Sequence, residues 1–289
     1  MSGLSLSRGA ALPVVLLVLL CTCAAAQDKG GQPAVAANGA GARLVLSAST
    51  FGGSPQYQSW PLVLELTLWR EPPTEGATAP PPLTIKAKQG AWCEALVVTV
   101  KDGTGAAVQW SLHLVKQDDA GLTLAADGGA TVEWWLSPEE TQALPEGDYR
   151  ISVAFDPERV DGLPTGDDAP RGDDCRLQVA KEPAPLDADT TAGKLYQQAW
   201  FCIVRDDKAG ADGNVAKLMA ADPESIGGRR LKAALLVRDG KASEALTLLD
   251  EALDIYDRKY PKACPPAGLL AARAQIAGTL KPATVKPDK

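Results

Sequence analysis

The chain is poor in the groups on which enzymes most often rely. It has a single histidine, His113, so no histidine pair can hold zinc and no HExxH helix exists. There is no CxxC pair, no GxSxG elbow, no phosphate-binding glycine loop and no dinucleotide fingerprint. Basic residues form no run and the net charge is −7, a balance that repels phosphate backbones and excludes nucleic acid as a partner. Beyond residue 26 no apolar run reaches the roughly 20 residues of a membrane span, so the mature chain should have no membrane anchor. No catalytic residue, cofactor or metal ligand is therefore expected. Asp and Glu are abundant, which leaves a carboxylate acid/base pair open, but no pair stands out by its spacing.

What is present begins with an export signal. Arg8 gives a positive start, Ala10 to Leu20 is an apolar run broken only by Pro13, and Ala24-Ala25-Ala26 offers a small-residue cleavage site. Residues 1–26 read as a signal peptide, with a mature start at Gln27 and a periplasmic or secreted address. A lipid anchor on Cys21 or Cys23 is the rival; Leu20 and Thr22 stand where that processing wants a small residue. Loss of Arg8 with the leader makes the mature chain one unit more acidic. Residues 27–42 are small and polar and read as a flexible lead-in.

Four cysteines remain: Cys93, Cys175, Cys202 and Cys264. In an oxidising compartment an even count suggests two disulfides, with three possible connectivities. Pairing within each half of the chain is the simplest, giving Cys93–Cys175 and Cys202–Cys264.

Residues 43–181 alternate with period two, as half-buried antiparallel strands require. Leu62, Leu64, Leu66 and Leu68 share one face, and so do Leu96, Val98 and Val100. Trp110, Leu112 and Leu114 repeat the pattern with His113 opposite, followed by Val132, Trp134 and Leu136, and then by Tyr149, Ile151, Val153 and Phe155. About seven such strands between Gly- and Pro-rich turns imply an antiparallel β-sandwich. The stretch Leu144-Pro145-Glu146-Gly147-Asp148-Tyr149 resembles the LPxGxY entry to a late strand in immunoglobulin-like and fibronectin type III-like bacterial sandwiches. The resemblance covers about ten residues and implies a fold and a tyrosine corner at Tyr149, with no activity attached.

Residues 182–187 hold two prolines and read as a stiff linker. The period then changes, and alanine- and leucine-rich helices follow over 188–280, ahead of a short polar tail at 281–289. Ala199, Ala233 and Ala267 are spaced by 34, as are Ala211 and Ala245. Gly240, Ala245, Leu249 and Ala252 resemble the turn glycine and the small–large–small packing positions of a tetratricopeptide repeat. That resemblance implies stacked helical hairpins with a groove for a protein partner. A plain helical bundle with chance spacing is the alternative.

Three surface features qualify as candidate sites. Trp69 and Trp135 alternate out of phase with the core-facing residues of their strands, so each would offer a flat apolar face to a ligand, or be covered by the helical half. The acidic stretch 156–174 could wrap calcium or simply be solvated, and it contains Arg171-Gly172-Asp173. The favoured function is an extracytoplasmic, non-enzymatic binding or assembly protein, with the sandwich as a recognition or spacer module and the helices as a partner groove. A carbohydrate-binding or adhesion module using Trp69 and Trp135 is the second reading, and an enzyme with an unrecognised carboxylate site the third. The oligomeric state stays open.

Overall fold

The computed structural model describes residues 44–277 except 51–54, 71–79, 116, 125–128, 167–168, 264, 266–268, 271 and 274–275. The expected signal peptide, the lead-in, the tail, Cys264, Asp167 and Asp168 lie outside the described residues. The N-terminal half is sheet and the C-terminal half is helix. In chain order the strands are β1 (Leu44–Thr50), β2 (Gln56–Tyr57), β3 (Leu62–Arg70), β4 (Leu83–Ala87), β5 (Leu96–Asp102), β6 (Ala107–Val108), β7 (His113–Leu114), β8 (Gly121–Leu124) and β9 (Gly129–Leu136). After the short helix α1 (Pro138–Gln142) come β10 (Gly147–Phe155), β11 (Val160–Asp161), β12 (Arg171–Asp173) and β13 (Cys175–Ala180).

Two five-stranded sheets enclose one core. Their orders are β12-β1-β3-β9-β7 and β2-β13-β10-β5-β6. Period-two alternation decides which residues enter it. From the first sheet Leu44, Leu46, Leu62, Leu64, Leu66, Leu68, Val132 and Trp134 point inward; from the second Val100, Tyr149, Ile151, Val153, Leu177 and Val179 meet them. Full burial of a leucine side chain contributes about 1.5–3 kcal/mol, so this double row of leucines supplies much of the driving force. Tyr149 sits where the corner resemblance implies, and its hydroxyl donates to the Pro145 carbonyl at 2.9 Å.

A third sheet, β11-β4-β8, closes one end of the core with Ile85 and Leu124 fully buried. Period-two reading did not single out β4 and β8. The strand expected over 109–115 reduces to His113 and Leu114, with Trp110 partly buried against the core beside Tyr149. The acidic stretch is not one loop, because Arg171, Gly172 and Asp173 form an edge strand running parallel to β1.

The helices are α2 (Ala188–Val204), α3 (Lys208–Ala221), α4 (Ile226–Arg238) and α5 (Ala242–Lys259). Each of the first three starts where a side chain caps a free backbone N–H: Asp187 accepts from Thr190, Asp207 from Gly210, and Ser225 from Gly228. Because Asp187 is the cap, α2 begins one turn earlier than its alanine pattern suggests. Gly240 takes φ +74° between α4 and α5, a left-handed turn that suits glycine. Ala199, Ala211, Ala233, Ala245 and Ala252 are all buried, so the helices approach closely at these small positions.

The expected Cys93–Cys175 bond is not formed; both are free, buried thiols. Cys93 lies in a 3-10 turn (Trp92–Ala95) with its Sγ toward the Gln117 carbonyl at 3.8 Å. Cys175 opens β13, facing Thr50 at the end of β1 and the Arg176 carbonyl. Each thiol therefore has different neighbours on its own strand system. Cys202 is also free, with Asn214 of α3 at 3.7 Å, while its expected partner Cys264 falls outside the described residues. Burial pushes all three thiols up from their ordinary value.

Candidate functional site

Two outward sheet faces differ sharply. On the first sheet, alternation turns Val63, Glu65, Thr67 and Trp69 away from the core. The register with β9 sets them opposite Trp135, Glu133, Thr131 and Gly129 respectively. Helix α2 lies over part of this face, and residues recurring every three or four positions along it make the contact. The Lys194 ammonium sits 5.7 Å from the Trp60 ring centre. Gln197 donates to the Gln56 side chain at 3.4 Å, and Gln56 donates in turn to the Trp60 carbonyl at 3.0 Å. Phe201 meets Trp135 edge-on with ring centres 5.4 Å apart, and the Arg205 guanidinium lies 5.1 Å over the same indole. On the other side of Trp135, His113 stacks at 4.1 Å while its Nε2 contacts Glu140 at 2.7 Å. Val63, although on a sheet, belongs to the apolar cluster of the helices.

Beneath this contact lie two carboxyl groups. Glu65 and Glu133 are directly opposite across β3 and β9, and both are almost fully buried, at 2% and 6% exposure. Burial pushes Glu133 up to about 7, and a hydrogen bond from the Trp200 indole offsets part of that rise. A carboxyl kept protonated into the neutral range is a common feature of catalytic sites. Here the pair is buried beside α2, where it bears on the packing of the helix against the sheet.

Trp69 and Trp135 do not form one site. They are separated by six residues of register along one face, about 20 Å at strand rise. Trp135 is held between His113, Phe201 and Arg205, and Trp69 is half-buried beside Gly129. None of the seven tryptophans is exposed. Glu65 and Glu133 escaped the sequence reading because a glutamate in an alternating strand reads as solvated. The available signal was local: LVLELTLW and TVEWW set each glutamate among apolar residues on both sides. Among the described residues no cluster of three or more His, Cys, Asp or Glu side chains could hold a metal ion.

The second sheet turns an open face outward. Arg150 on β10 is directly opposite Lys101 on β5 and Arg176 on β13, so three cations line up across three adjacent strands. All three are exposed. They border a shallow concavity of about 820 Å³, closed at one end by the turn at residues 102–105. Asp102 is engaged within that turn, accepting from the Thr104 amide at 2.9 Å, its hydroxyl at 2.6 Å and the Ala106 amide at 3.1 Å. These bonds hold its carboxyl below the ordinary range. Arg150 contacts Asp174 at 3.4 Å, whereas Lys101 and Arg176 have no ion-pair partner among the described residues.

No protein-family model and no curated protein matches the chain. Among solved structures, a CARDB domain from Pyrococcus furiosus is 15% identical, over 48% of this chain and 89% of that one, with a TM-score of 0.25. A type I cohesin from Pseudobacteroides cellulosolvens is 10% identical over 50% of this chain and 97% of that one, at 0.23. A family 123 glycoside hydrolase from Clostridium perfringens is 12% identical over 53% of this chain and 32% of that one, at 0.24. Likeness at these scores carries no argument about fold or function. Among the described residues no helix is long and apolar enough to cross a membrane.

Proposed function

We propose that the chain is an exported, non-enzymatic binding module in which an immunoglobulin-like sandwich recognises a protein partner and the helices brace it. One observation carries this reading. Helix α2 covers part of the outer face of the first sheet, while the outer face of the second stays open and bears the aligned Lys101, Arg150 and Arg176. The tetratricopeptide-like groove is a weaker candidate, since α2 commits one of its faces to the sandwich through Lys194, Gln197 and Phe201. The tryptophan-based carbohydrate reading loses its support with the covering of Trp135. Export rests on residues 1–26.

Photo-crosslinking tests the reading. A crosslinkable residue at Thr99 or Ser152 on the open face should give one dominant protein adduct in the native extracytoplasmic fraction, and the same residue at Lys217 on α3 should give none. Equal labelling from all three positions, or no adduct at all, would count against the sandwich as the recognition module.

A further inference from the structure

The row of Lys101, Arg150 and Arg176 is a feature that folding alone does not favour. Like charges directly opposite on neighbouring strands are destabilising, and here two such pairs share Arg150. At the next outward positions Thr99 stands opposite Ser152 on one side and Asp148 opposite Gln178 on the other, and such neutral or mixed pairs would serve a solvated sheet equally well. Sequences retain such local conflicts mainly where another requirement overrides stability. The whole chain has a net charge of −7, so a cationic row runs against the general surface.

The geometry defines what fits. Neighbouring strands are about 4.8 Å apart, so the three cations span roughly 10 Å across the sheet. Arginine offers a planar fork matched to a carboxylate, and Lys101 adds a point charge beside it. Asp174 already engages Arg150 from one side at 3.4 Å, leaving Lys101 and Arg176 as the outer positions. No tryptophan is exposed on the chain, so this face has no indole platform of the kind on which a sugar ring stacks. Asp102 and Asp148 also line the concavity, so the attraction for an anionic partner rests on Lys101 and Arg176, which no acid pairs among the described residues.

We propose that the outer face of β5, β10 and β13 binds an acidic polypeptide segment, whose carboxylates pair with Lys101 and Arg176 across the central Arg150. This deepens the proposed function, resting on its choice of the open sheet as the recognition face, and names the partner's chemistry.

The test uses the full mature chain and a fluorescent dodecapeptide of alternating Glu and Asp, followed by anisotropy at low salt. The parent protein should bind it, and the affinity should fall as salt is raised. The double variant Lys101→Gln/Arg176→Gln should bind at least tenfold more weakly. A charge-matched control, Lys86→Gln/Lys217→Gln, should change binding less than twofold. The row variant should melt no lower than the parent, since it relieves like-charge contacts, so weaker binding would not reflect misfolding. Equal weakening by both double variants would reduce the effect to general charge and overturn the proposal. So would displacement of the peptide by millimolar inorganic phosphate, or binding of polygalacturonate in place of the peptide. A crosslinked protein adduct at Thr99 or Ser152 without peptide binding would leave the recognition face standing and refute only the acidic segment.

Discussion

Replacing Glu133 by Gln should stabilise the protein at alkaline pH and leave it unchanged in acid. In an unfolded chain the carboxyl titrates at its ordinary value of 4.5, whereas in the folded protein burial pushes it up to about 7. The folded state therefore holds the proton more tightly. Its contribution to stability is fully present below pH 4.5 and is lost as pH rises through 7. The interval between the two values corresponds to about 3 kcal/mol. Glutamine carries no charge and keeps an acceptor for the Trp200 indole, so the variant avoids this loss. A stabilisation of that size in a chain of this length raises the melting temperature by roughly 6–12 °C. Melting followed by circular dichroism at pH 4.5 and 8.5 should show no difference at the first and that increase at the second. Glu65 faces Glu133 directly across β3 and β9, so the difference reports the loss of one carboxyl from a buried facing pair, while His113 on β7 and Arg205 at the end of α2 are common to both proteins. A pH-independent difference, or a variant less stable at pH 8.5, would show that Glu133 is solvated beneath α2 and would refute the buried pair.

Three further outcomes follow from the packing. Phe201→Ala removes a buried ring and its edge contact on Trp135, and should cost about 3–5 kcal/mol in a chemical-denaturation experiment; a cost under 1 kcal/mol would mean α2 does not depend on this contact. Tyr149→Phe removes only the bond to the Pro145 carbonyl and should cost about 1 kcal/mol, read from the same unfolding curves. Thiol mapping under non-reducing conditions should find Cys93 and Cys175 free, with Cys202, the least buried of the three, reacting first with a maleimide; a Cys93–Cys175 peptide would restore the pairing that the spacing suggested.

The parts of the fold legible in sequence are those in which one periodicity dominates. LVLELTLW and GDYRISVAF alternate cleanly, and their inward residues are those buried in the core. The helices were equally visible, because Ser225, Gly240 and the spaced alanines mark starts, turns and close approaches. The third sheet was not legible: β4 and β8 are five and four residues long, too short for alternation to stand out from a loop. The Cys93–Cys175 pairing failed for a different reason. Chain proximity says nothing about which way a side chain points, and Cys93 and Cys175 face different neighbours. Trp69 and Trp135 share the outward face of β3 and β9. Their separation depends on the register between β3 and β9, which a single strand does not contain.

The polar groups under α2 bear on why the two halves dock in one way. An apolar contact such as Phe201 on Trp135 is non-directional, and small slides of the helix would keep most of its area buried. The flanking contacts are less tolerant. Shifting α2 by one turn would move Gln197 off Gln56 and the Trp200 indole off Glu133, leaving buried polar groups without partners at about 1–3 kcal/mol each. The same shift would leave Glu65 and Glu133 facing apolar helix surface, which raises the cost of either charge. The aromatic pair thus supplies attraction, and the glutamine and glutamate contacts fix its register. This division explains why a surface that looks solvated by alternation carries two glutamates, two threonines and two tryptophans in one sheet face: part of that face is read by a helix and not by water.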